Sequence, residues 1–306
     1  IYADSLIDAD GHIKTMKYLS FNIDNVNGGK ILFDLYAQTG DERYKIAMDT
    51  LRKQMAEQPR TSEGGFWHKL RYPHQMWLDG IFMASPYLVQ YGATFDEPAL
   101  FDEATKQILL IKSKTYDPAT GLYYHGWDES HEQKWSNPET GCSPNFWSRS
   151  IGWYGAAIVD VLDFLPQETT GRDSIIQILQ GLAKAIVKYQ DPSSGTWYQV
   201  TDQGAREGNY LESSATALFI YTLAKAINKG YIGNEYIEPT QKAFDGMVKT
   251  FTRLEEDGSY TITNCCAVAG LGGDSKRYRD GSFEYYISEP IIENDPKSVG
   301  SFILAA

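Results

Sequence analysis

The sequence predicts an all-α fold, an (α/α)6 barrel or toroid of antiparallel helix pairs with short β ribbons at one end. Amphipathic helical patterns alternate along the chain with helical stretches that are apolar on every face. This alternation is expected where outer helices face water and inner helices face a core. A turn containing glycine also recurs before the apolar stretches, with glycines at positions 11, 65, 121, 195 and 258. A unit that returns at such spacings is typical of a repeat architecture.

The periodicity places the individual helices. Outer helices are predicted where charges occupy one face, at residues 41–58, 97–114, 172–189 and 237–252. Inner helices are predicted in segments rich in small and apolar residues, at 21–36, 74–88, 146–165 and 211–227, with a fifth beginning near 298. The inner segments are too apolar to line the exposed concave face of an open solenoid, so we expect the repeats to close into a ring.

A six-pair ring requires one more helix pair than this sequence contains. We expect that pair to precede Ile1, and the last inner helix is cut short at Ala306. No stretch rich in serine, glycine or proline divides the chain. Residues 1–306 are therefore predicted to form a single, N-terminally incomplete domain.

In a ring of this kind, the turns that lead into the inner helices lie at one end. The N-termini of the inner helices gather there, and their free N–H groups favour an anion. Asp24, Asp79, Arg149 and Glu212 all fall near the starts of predicted inner helices. The same end is expected to form one funnel of aromatic side chains, from Trp67, Tyr124, Trp127, Trp147, Trp153 and Trp197.

Composition and charge limit the possible partners. The formal net charge of −12 argues against nucleic acid and anionic membranes. The aromatic content of 13% provides flat faces of the kind that suit sugar rings, although such residues also fill cores. The three cysteines are odd in number and two are adjacent, so a reducing compartment is expected and a disulfide framework is not. No apolar run of about 18 residues suggests a membrane span.

The stretch from His74 to Leu88 is the most informative part of the chain. It is apolar or aromatic at nearly every position, yet Asp79 lies among Trp77 and Ile81. An aspartate is almost never fully buried unless it is paired or functional. Desolvation would raise its pKa and make it a proton donor near neutral pH. The alternative is an aspartate that only satisfies N–H groups at a helix start.

Asp24 and Asp79 occupy similar depths on neighbouring inner helices. Two carboxylates at such a site suit glycosidic chemistry, and a close pair raises the pKa of one member. The alternative for Asp24, which precedes Asn25 and Asn27, is a helix-start or turn residue.

Four further polar residues are candidates for substrate binding. The planar guanidinium of Arg149 would suit a substrate carboxylate, or it would form a structural ion pair with an inner-helix acid. His125 would bind a hydroxyl or relay a proton, or it would only be satisfied by backbone groups. His68 and Lys69 are expected at the rim of the site, with a solvated surface lysine as the alternative.

No metal or cofactor is expected. The five histidines form no HExxH motif and the cysteines form no CxxC motif. Cys265 and Cys266 are predicted to be buried fillers and not nucleophiles. The sequence also lacks a phosphate-binding loop and a Gly-x-Ser-x-Gly elbow.

Several long motifs resemble one known family. They are residues 61–69, 72–80, 121–128, 141–144, 146–154, 211–214 and 300–305. Together they resemble the unsaturated rhamnogalacturonyl hydrolases of glycoside hydrolase family 105, which are related to unsaturated glucuronyl hydrolases. The resemblance extends over essentially the whole chain.

The resemblance implies a six-pair α/α barrel and assigns roles to residues. It implies that Asp79 is the catalytic aspartate and Asp24 the second essential one. His125, Trp147, Arg149 and Trp153 would line the sugar pocket, with His68 and Lys69 nearby. The implied reaction is hydration of the vinyl ether in a 4,5-unsaturated uronic acid at the end of a pectin fragment.

Other functions remain open at this stage. They are an unsaturated glucuronyl hydrolase, an ordinary inverting glycosidase with Asp24 and Asp79 as acid and base, and a non-catalytic carbohydrate-binding protein. We expect an oligosaccharide substrate, a monomer or small homo-oligomer, and a cytoplasmic location.

Overall fold

The computed structural model describes residues 2–273 and 277–306. The α-helices of these residues are Tyr2–Ser5 (α1), Asp24–Asn27 (α2), Lys30–Thr39 (α3), Glu42–Glu57 (α4), Leu78–Phe95 (α5), Ala99–Thr115 (α6), Ser148–Phe164 (α7), Arg172–Lys188 (α8), Ser213–Asn228 (α9), Ile237–Phe251 (α10), Phe283–Ser288 (α11) and Pro296–Ala305 (α12). The strands are Gln75–Trp77 (β1), Gly126–Asp128 (β2), Thr252–Leu254 (β3), Tyr260–Ile262 (β4), Cys265–Cys266 (β5) and Ile291–Ile292 (β6). Short 3-10 turns lie at Tyr18–Ser20 and Asn234–Tyr236.

The helices form two layers, which confirms the predicted helical barrel. In the inner layer α2 packs on α5, α5 on α7, α7 on α9 and α9 on α12. Outer helices α4, α6, α8 and α10 pack respectively on α3, α5, α7 and α9. Apolar side chains of α5, α7 and α9 form most of the core, because these helices are apolar around most of their circumference. That the chain forms a single domain stays a prediction.

The first inner helix differs from its prediction because it is broken at Gly28–Gly29. α2 ends before the two glycines and α3 begins after them. The N–H of Gly29 donates to the carbonyl of Val26 at 2.9 Å, a tight turn that interrupts the α-helical bonding. Gly29 is also buried, and its backbone packs closely against Tyr87, since a Cβ there would lie 2.9 Å from that ring. The break shortens α2 to one turn, which carries Asp24.

The second inner helix begins four residues later than predicted. Residues Gln75–Trp77 are extended and pair with Gly126–Asp128 in an antiparallel ribbon, with Gln75 opposite Asp128 and Trp77 opposite Gly126. The prediction was wrong here because an apolar run without period does not distinguish a buried strand from a buried helix. α5 therefore begins at Leu78, and Asp79 is its second residue.

Further short pairings connect the segments that precede the inner helices. Trp147 pairs with Val200, Tyr198 with Leu211, and Trp127 with Cys142. Because these pairings lie immediately before α7 and α9, they bring the N-termini of the inner helices to the same end of the barrel. Within the described residues, no helix is both long enough and apolar enough to cross a bilayer.

Candidate active site

A cavity of about 410 Å³ opens at this end of the barrel. Its walls come from the starts of the inner helices and from the ribbons between them. The side chains that line it are those of Asp24, Asn27, His68, Lys69, Tyr72, Trp77, Asp79, Met83, Trp147, Arg149, Trp153, Val268, Ala269, Arg279, Pro296 and Lys297. Seven of the eight predicted site residues are in this lining, and the eighth, His125, lies directly behind Asp79.

Asp24 is held as an anion by two basic neighbours. Its Oδ2 lies 2.6 Å from Nζ of Lys69, and its Oδ1 lies 3.2 Å from Nε2 of His68. Burial raises the pKa of Asp24, but the charges and hydrogen bonds of His68 and Lys69 lower that pKa by more, so it lies far below its ordinary value. The carboxylate remains 40% exposed and faces the cavity. It is therefore available to accept hydrogen bonds from a ligand.

His68 is fixed by the ribbon before α5. Its N–H donates to the carbonyl of Gln75 at 2.8 Å, and its carbonyl accepts from Ile23 at 3.2 Å. Its ring stacks on Trp77 with the ring centres 4.4 Å apart. The position of Asp24 is thus linked to the ribbon that precedes Asp79.

Asp79 lies in the first turn of α5, with 13% of its side chain exposed. Its Oδ2 approaches Nε2 of His125 to 3.1 Å, although the two groups are not aligned as a straight hydrogen bond. The N–H of Leu78 donates to the carbonyl of His125 at 3.0 Å, which ties the start of α5 to β2. One oxygen of Asp79 therefore contacts His125, and its side chain lines the cavity.

His125 is completely buried between Asp79 and Tyr286. Its Nδ1 lies 2.8 Å from the hydroxyl of Tyr286, and its ring lies 4.7 Å from that of Trp147. Burial lowers the pKa of His125 below its ordinary value, although the charge of Asp79 acts in the opposite direction. The imidazole is therefore neutral near pH 7. It orients Asp79 from behind and does not line the cavity.

Arg149 forms the structural ion pair that was one of the two roles considered for it, and it also lies on the cavity wall. The guanidinium is buried, its Nη1 donates to the carbonyl of Cys266 at 2.5 Å and to Oγ of Ser214 at 3.2 Å, and it lies 4.0 Å from Glu212. These contacts form the structural ion pair with an inner-helix acid. Arg149 also lines the cavity and lies over the ring of Trp147 at 4.8 Å.

The adjacent cysteines support this arrangement and carry no nucleophile. Both are buried, and the N–H of Cys266 donates to Oε1 of Glu212 at 2.9 Å. Burial raises the pKa of Cys265 to about 12, so its thiol stays protonated near neutral pH. The prediction that the pair are buried fillers agrees with these observations.

The aromatic funnel was only partly predicted correctly. Trp147 and Trp153 line the cavity, and Trp153 stacks on Phe82 with the ring centres 4.5 Å apart. The other four aromatic residues predicted to share the funnel are absent from its described lining: Trp67, Tyr124, Trp127 and Trp197.

Local contacts explain why those four lie elsewhere. Trp197 is fully buried because its Nε1 donates to the carbonyl of Ile186 and its ring packs on Phe219. Lys114 covers the ring of Trp127 at 4.8 Å. Trp67 packs on His74 and Tyr124 on Phe146, and Tyr124 lines a separate cleft.

Several residues of the site were not predicted from the sequence. Tyr72 and Trp77 lie within the motif that contains Asp79, so the motif itself was a usable signal. Arg279 and Tyr286 follow a stretch without clear periodicity. No local sequence pattern indicates that Arg279 reaches the cavity or that Tyr286 contacts His125. The other lining residues that were not predicted are Asn27, Met83, Val268, Ala269, Pro296 and Lys297.

The geometry agrees with the comparisons to known proteins. The sequence profile of Glycosyl Hydrolase Family 88 matches residues 1–306. A solved structure of a family 105 glycoside hydrolase from C. acetobutylicum superposes with a TM-score of 0.97 at 44% identity, covering 99% of this chain and 84% of that one.

Two relatives extend the comparison to curated sequences. A protein of Agrobacterium fabrum is 37% identical over 227 residues, which is 73% of this chain and 96% of that protein. The unsaturated rhamnogalacturonyl hydrolase YesR of Bacillus subtilis is 28% identical over 243 residues, which is 78% of this chain and 65% of that enzyme. The whole-chain match, the helical barrel and the two carboxylates in one cavity lead to one conclusion: this chain belongs to Glycosyl Hydrolase Family 88 and is a glycoside hydrolase.

Proposed function

We propose that the enzyme releases a 4,5-unsaturated galacturonic acid from the non-reducing end of rhamnogalacturonan oligosaccharides. The observation that carries this proposal is the composition of one cavity, in which two carboxylates share the wall with four cationic side chains. The similarity to YesR, which is named as an unsaturated rhamnogalacturonyl hydrolase, supports the choice of sugar.

The charge of the cavity favours an acidic substrate. The protein as a whole carries a formal charge of −12, which repels an anion at long range. Among the side chains that line the cavity the balance is the opposite, because Lys69, Arg149, Arg279 and Lys297 outnumber Asp24 and Asp79. Cations concentrated in an acidic protein are consistent with a ligand that carries its own carboxylate.

The proposed reaction is hydration of the vinyl ether. Asp79 donates its proton to C4, the double bond between C4 and C5 breaks, and the oxygen of water bonds to C5. The water returns a proton to Asp79, so the aspartic acid is regenerated in the same turnover. The hemiketal at C5 then opens the ring, and the hemiacetal left at C1 releases the neighbouring sugar as an alcohol.

Asp24 and the aromatic residues act by binding. Asp24 is an anion at the working pH, so it accepts hydrogen bonds from sugar hydroxyls. Trp147 and Trp153 offer ring faces on which sugar rings pack. His125 keeps one oxygen of Asp79 in place.

The experiment is a turnover assay on three disaccharides with the same purified protein. They are the unsaturated galacturonyl-rhamnose product of a rhamnogalacturonan lyase, an unsaturated glucuronyl disaccharide, and a saturated analogue. Loss of the enol-acid absorbance reports hydration of the double bond. Asp79→Asn should lower kcat by about 10²- to 10⁴-fold, the range for loss of a general acid–base. Asp173→Asn, at the exposed start of outer helix α8, is the matched control and should retain wild-type turnover.

Each outcome separates the alternatives. Fastest turnover of the galacturonyl substrate supports the proposal, and fastest turnover of the glucuronyl substrate would replace it with the related activity. Equal turnover of the saturated analogue, followed by release of the neighbouring sugar because this substrate lacks the enol-acid chromophore, would indicate an ordinary inverting glycosidase. Binding without turnover would indicate a carbohydrate-binding protein. A cytoplasmic location and a monomer or small homo-oligomer stay predictions.

A further inference from the structure

Three of the four cationic side chains that line the cavity have carboxylate neighbours within the protein. Nζ of Lys69 is 2.6 Å from Asp24. Nζ of Lys297 is 2.7 Å from Asp295, its neighbour at the start of α12. Arg149 lies against Glu212 and donates to a backbone carbonyl. A substrate carboxylate that approached any of these cations would have to compete with an anion already in place.

The fourth cation, Arg279, is held by neutral oxygen atoms. Its Nε donates to the carbonyl of Gly272 at 3.0 Å. Its Nη2 donates to the hydroxyl of Tyr72 at 2.6 Å and to the carbonyl of Leu271 at 3.1 Å. No carboxylate within residues 2–273 and 277–306 forms an ion pair with it. These contacts fix the plane of the guanidinium without neutralising its charge.

The third nitrogen, Nη1, is placed differently from the other two. It packs beside Gly270, where a Cβ would collide with it. It donates no hydrogen bond to any of the described residues. Arg279 therefore lines the cavity with a charged group whose geometry is already set and whose two Nη1 N–H groups are unused within the described residues. Preorganisation of this kind reduces the entropy lost on binding.

We infer that Arg279 is the residue that binds the carboxylate of the unsaturated uronic acid. The inference rests on the proposed function and refines it, because it assigns selection of the charged substrate to Arg279, with Lys69 and Arg149 engaged elsewhere. The guanidinium keeps its positive charge, and the two N–H groups of Nη1, which donate to none of the described residues, are suited to donate to a carboxylate. Tyr72 acts as a positioning residue, since its hydroxyl holds Nη2.

The test compares an acidic substrate with its neutral methyl ester. Both contain the same double bond, so both report hydration through the same absorbance. For wild type, kcat/KM should favour the free acid. Arg279→Gln should raise KM for the acid by about 10- to 100-fold, the equivalent of a hydrogen bond to a charged group. The same variant should leave kcat/KM for the ester within about twofold of the wild-type value. The preference for the acid over the ester should therefore be largely lost.

Three further variants make the result specific. Arg277→Gln removes an exposed cation two residues away, paired with Glu289, and should keep the wild-type preference. Tyr72→Phe leaves the charge in place but releases Nη2, and should lower the preference by a smaller factor than Arg279→Gln. Arg279→Lys retains charge without the fork and serves if the Gln variant does not fold. It should keep part of the preference.

The outcomes distinguish this inference from the proposed function. If Arg279→Gln and Arg279→Lys hydrolyse the acid with the wild-type preference over the ester, Arg279 does not bind the carboxylate, and the proposed activity stands. An equal loss on acid and ester would also overturn the inference, because it indicates a structural role. If wild type hydrolyses neither substrate, the proposed function itself is wrong.

Discussion

Oδ2 of Asp79 lies 3.1 Å from Nε2 of His125, and the opposite nitrogen of that ring lies 2.8 Å from the hydroxyl of Tyr286. Burial raises the pKa of Tyr286 well above its ordinary value, so the phenol keeps its proton. A neutral imidazole has one donor nitrogen and one acceptor nitrogen. If Tyr286 donates to Nδ1, then Nε2 carries the hydrogen and faces the carboxyl group of Asp79. In that arrangement the tyrosine selects the tautomer that Asp79 meets.

Removing the hydroxyl of Tyr286 should therefore affect Asp79 at a distance. We expect Tyr286→Phe to lower kcat by about tenfold, the value of one hydrogen bond, with little change in KM. The pH profile of kcat should also shift, which a purely structural change would not produce. Tyr154→Phe is the control, because Tyr154 is equally buried but donates to the carbonyl of Ile108 in the core. A shifted profile in both variants would contradict this account.

Because His125 is buried, we expect the folded protein to lose stability in mild acid. Its pKa is lowered in the folded state by burial, against the opposing effect of Asp79. The unfolded chain therefore takes up the proton first, and stability is complete above about pH 6.5 and falls as the pH drops below it. One such group adds a slope of at most about 1.4 kcal/mol per pH unit. Urea unfolding between pH 8 and pH 5 should show this slope in wild type and a smaller one in His125→Gln.

Asp24 should behave in the opposite way over the same pH range. Its folded-state pKa is far below the ordinary value because of His68 and Lys69, despite the opposing effect of burial. The stability it contributes is present above the unfolded pKa of about 3.9 and is lost only as the pH falls through the folded pKa. The difference in unfolding free energy between wild type and Asp24→Asn should thus be the same at pH 5.5 and pH 8. A difference that shrinks at pH 5.5 would show that Asp24 titrates there.

The activity of Asp24→Asn follows from the same contacts. The substitution removes the counter-charge of Lys69 and the anion on the cavity wall. We expect kcat/KM to fall by about 10- to 100-fold, the equivalent of a lost hydrogen bond to a charged group. Asp102→Asn, in the first turn of outer helix α6, is a control of the same chemistry and should be active. Normal turnover by Asp24→Asn would remove this residue from the mechanism.

The break between α2 and α3 provides a matched pair of substitutions. Gly28 and Gly29 both have helical φ angles, −62° and −72°, so alanine is allowed at either by backbone conformation. A Cβ on Gly29 would overlap Leu51 and lie 2.9 Å from Tyr87, whereas a Cβ on Gly28 would meet nothing closer than 3.9 Å. Gly29→Ala should lower the unfolding free energy by about 1–3 kcal/mol through overpacking. Gly28→Ala should leave it unchanged or raise it by up to about 1 kcal/mol. Urea unfolding measures both, and equal effects would contradict the packing argument.

The outer helices were predictable because each has a local periodicity. α8 was expected at 172–189 and spans Arg172–Lys188, and α10 was expected at 237–252 and spans Ile237–Phe251. The starts of the inner helices were less predictable. The segment 74–77 is apolar like the helix that follows it, and only its pairing with Gly126–Asp128 makes it a strand. That pairing is a long-range contact that composition does not reveal.

The residues of the site also divide into those that local sequence indicates and those that only long-range contacts bring together. Asp24, His68, Lys69 and Asp79 lie in or beside motifs at the starts of inner helices, so fold and motif together indicate one cavity. The partner of His125 could not be predicted, because Tyr286 lies 161 residues further along the chain in a stretch with no period. The prediction of an aromatic funnel was partly wrong for a related reason. An aromatic side chain near a helix start can turn into the core as easily as into a cavity, and Trp197 does so.

The hydrogen bond between Tyr72 and Arg279 joins residues 207 positions apart. Closing so long a loop costs entropy before any contact compensates for it, and contacts of this kind slow folding. After dilution from denaturant, we therefore expect the helical circular dichroism signal to return before catalytic activity. A nascent chain would carry Asp24 and Asp79 long before Arg279, which also lines the cavity, has been synthesised. For this protein, turnover reports completion of the fold, and helix content alone does not.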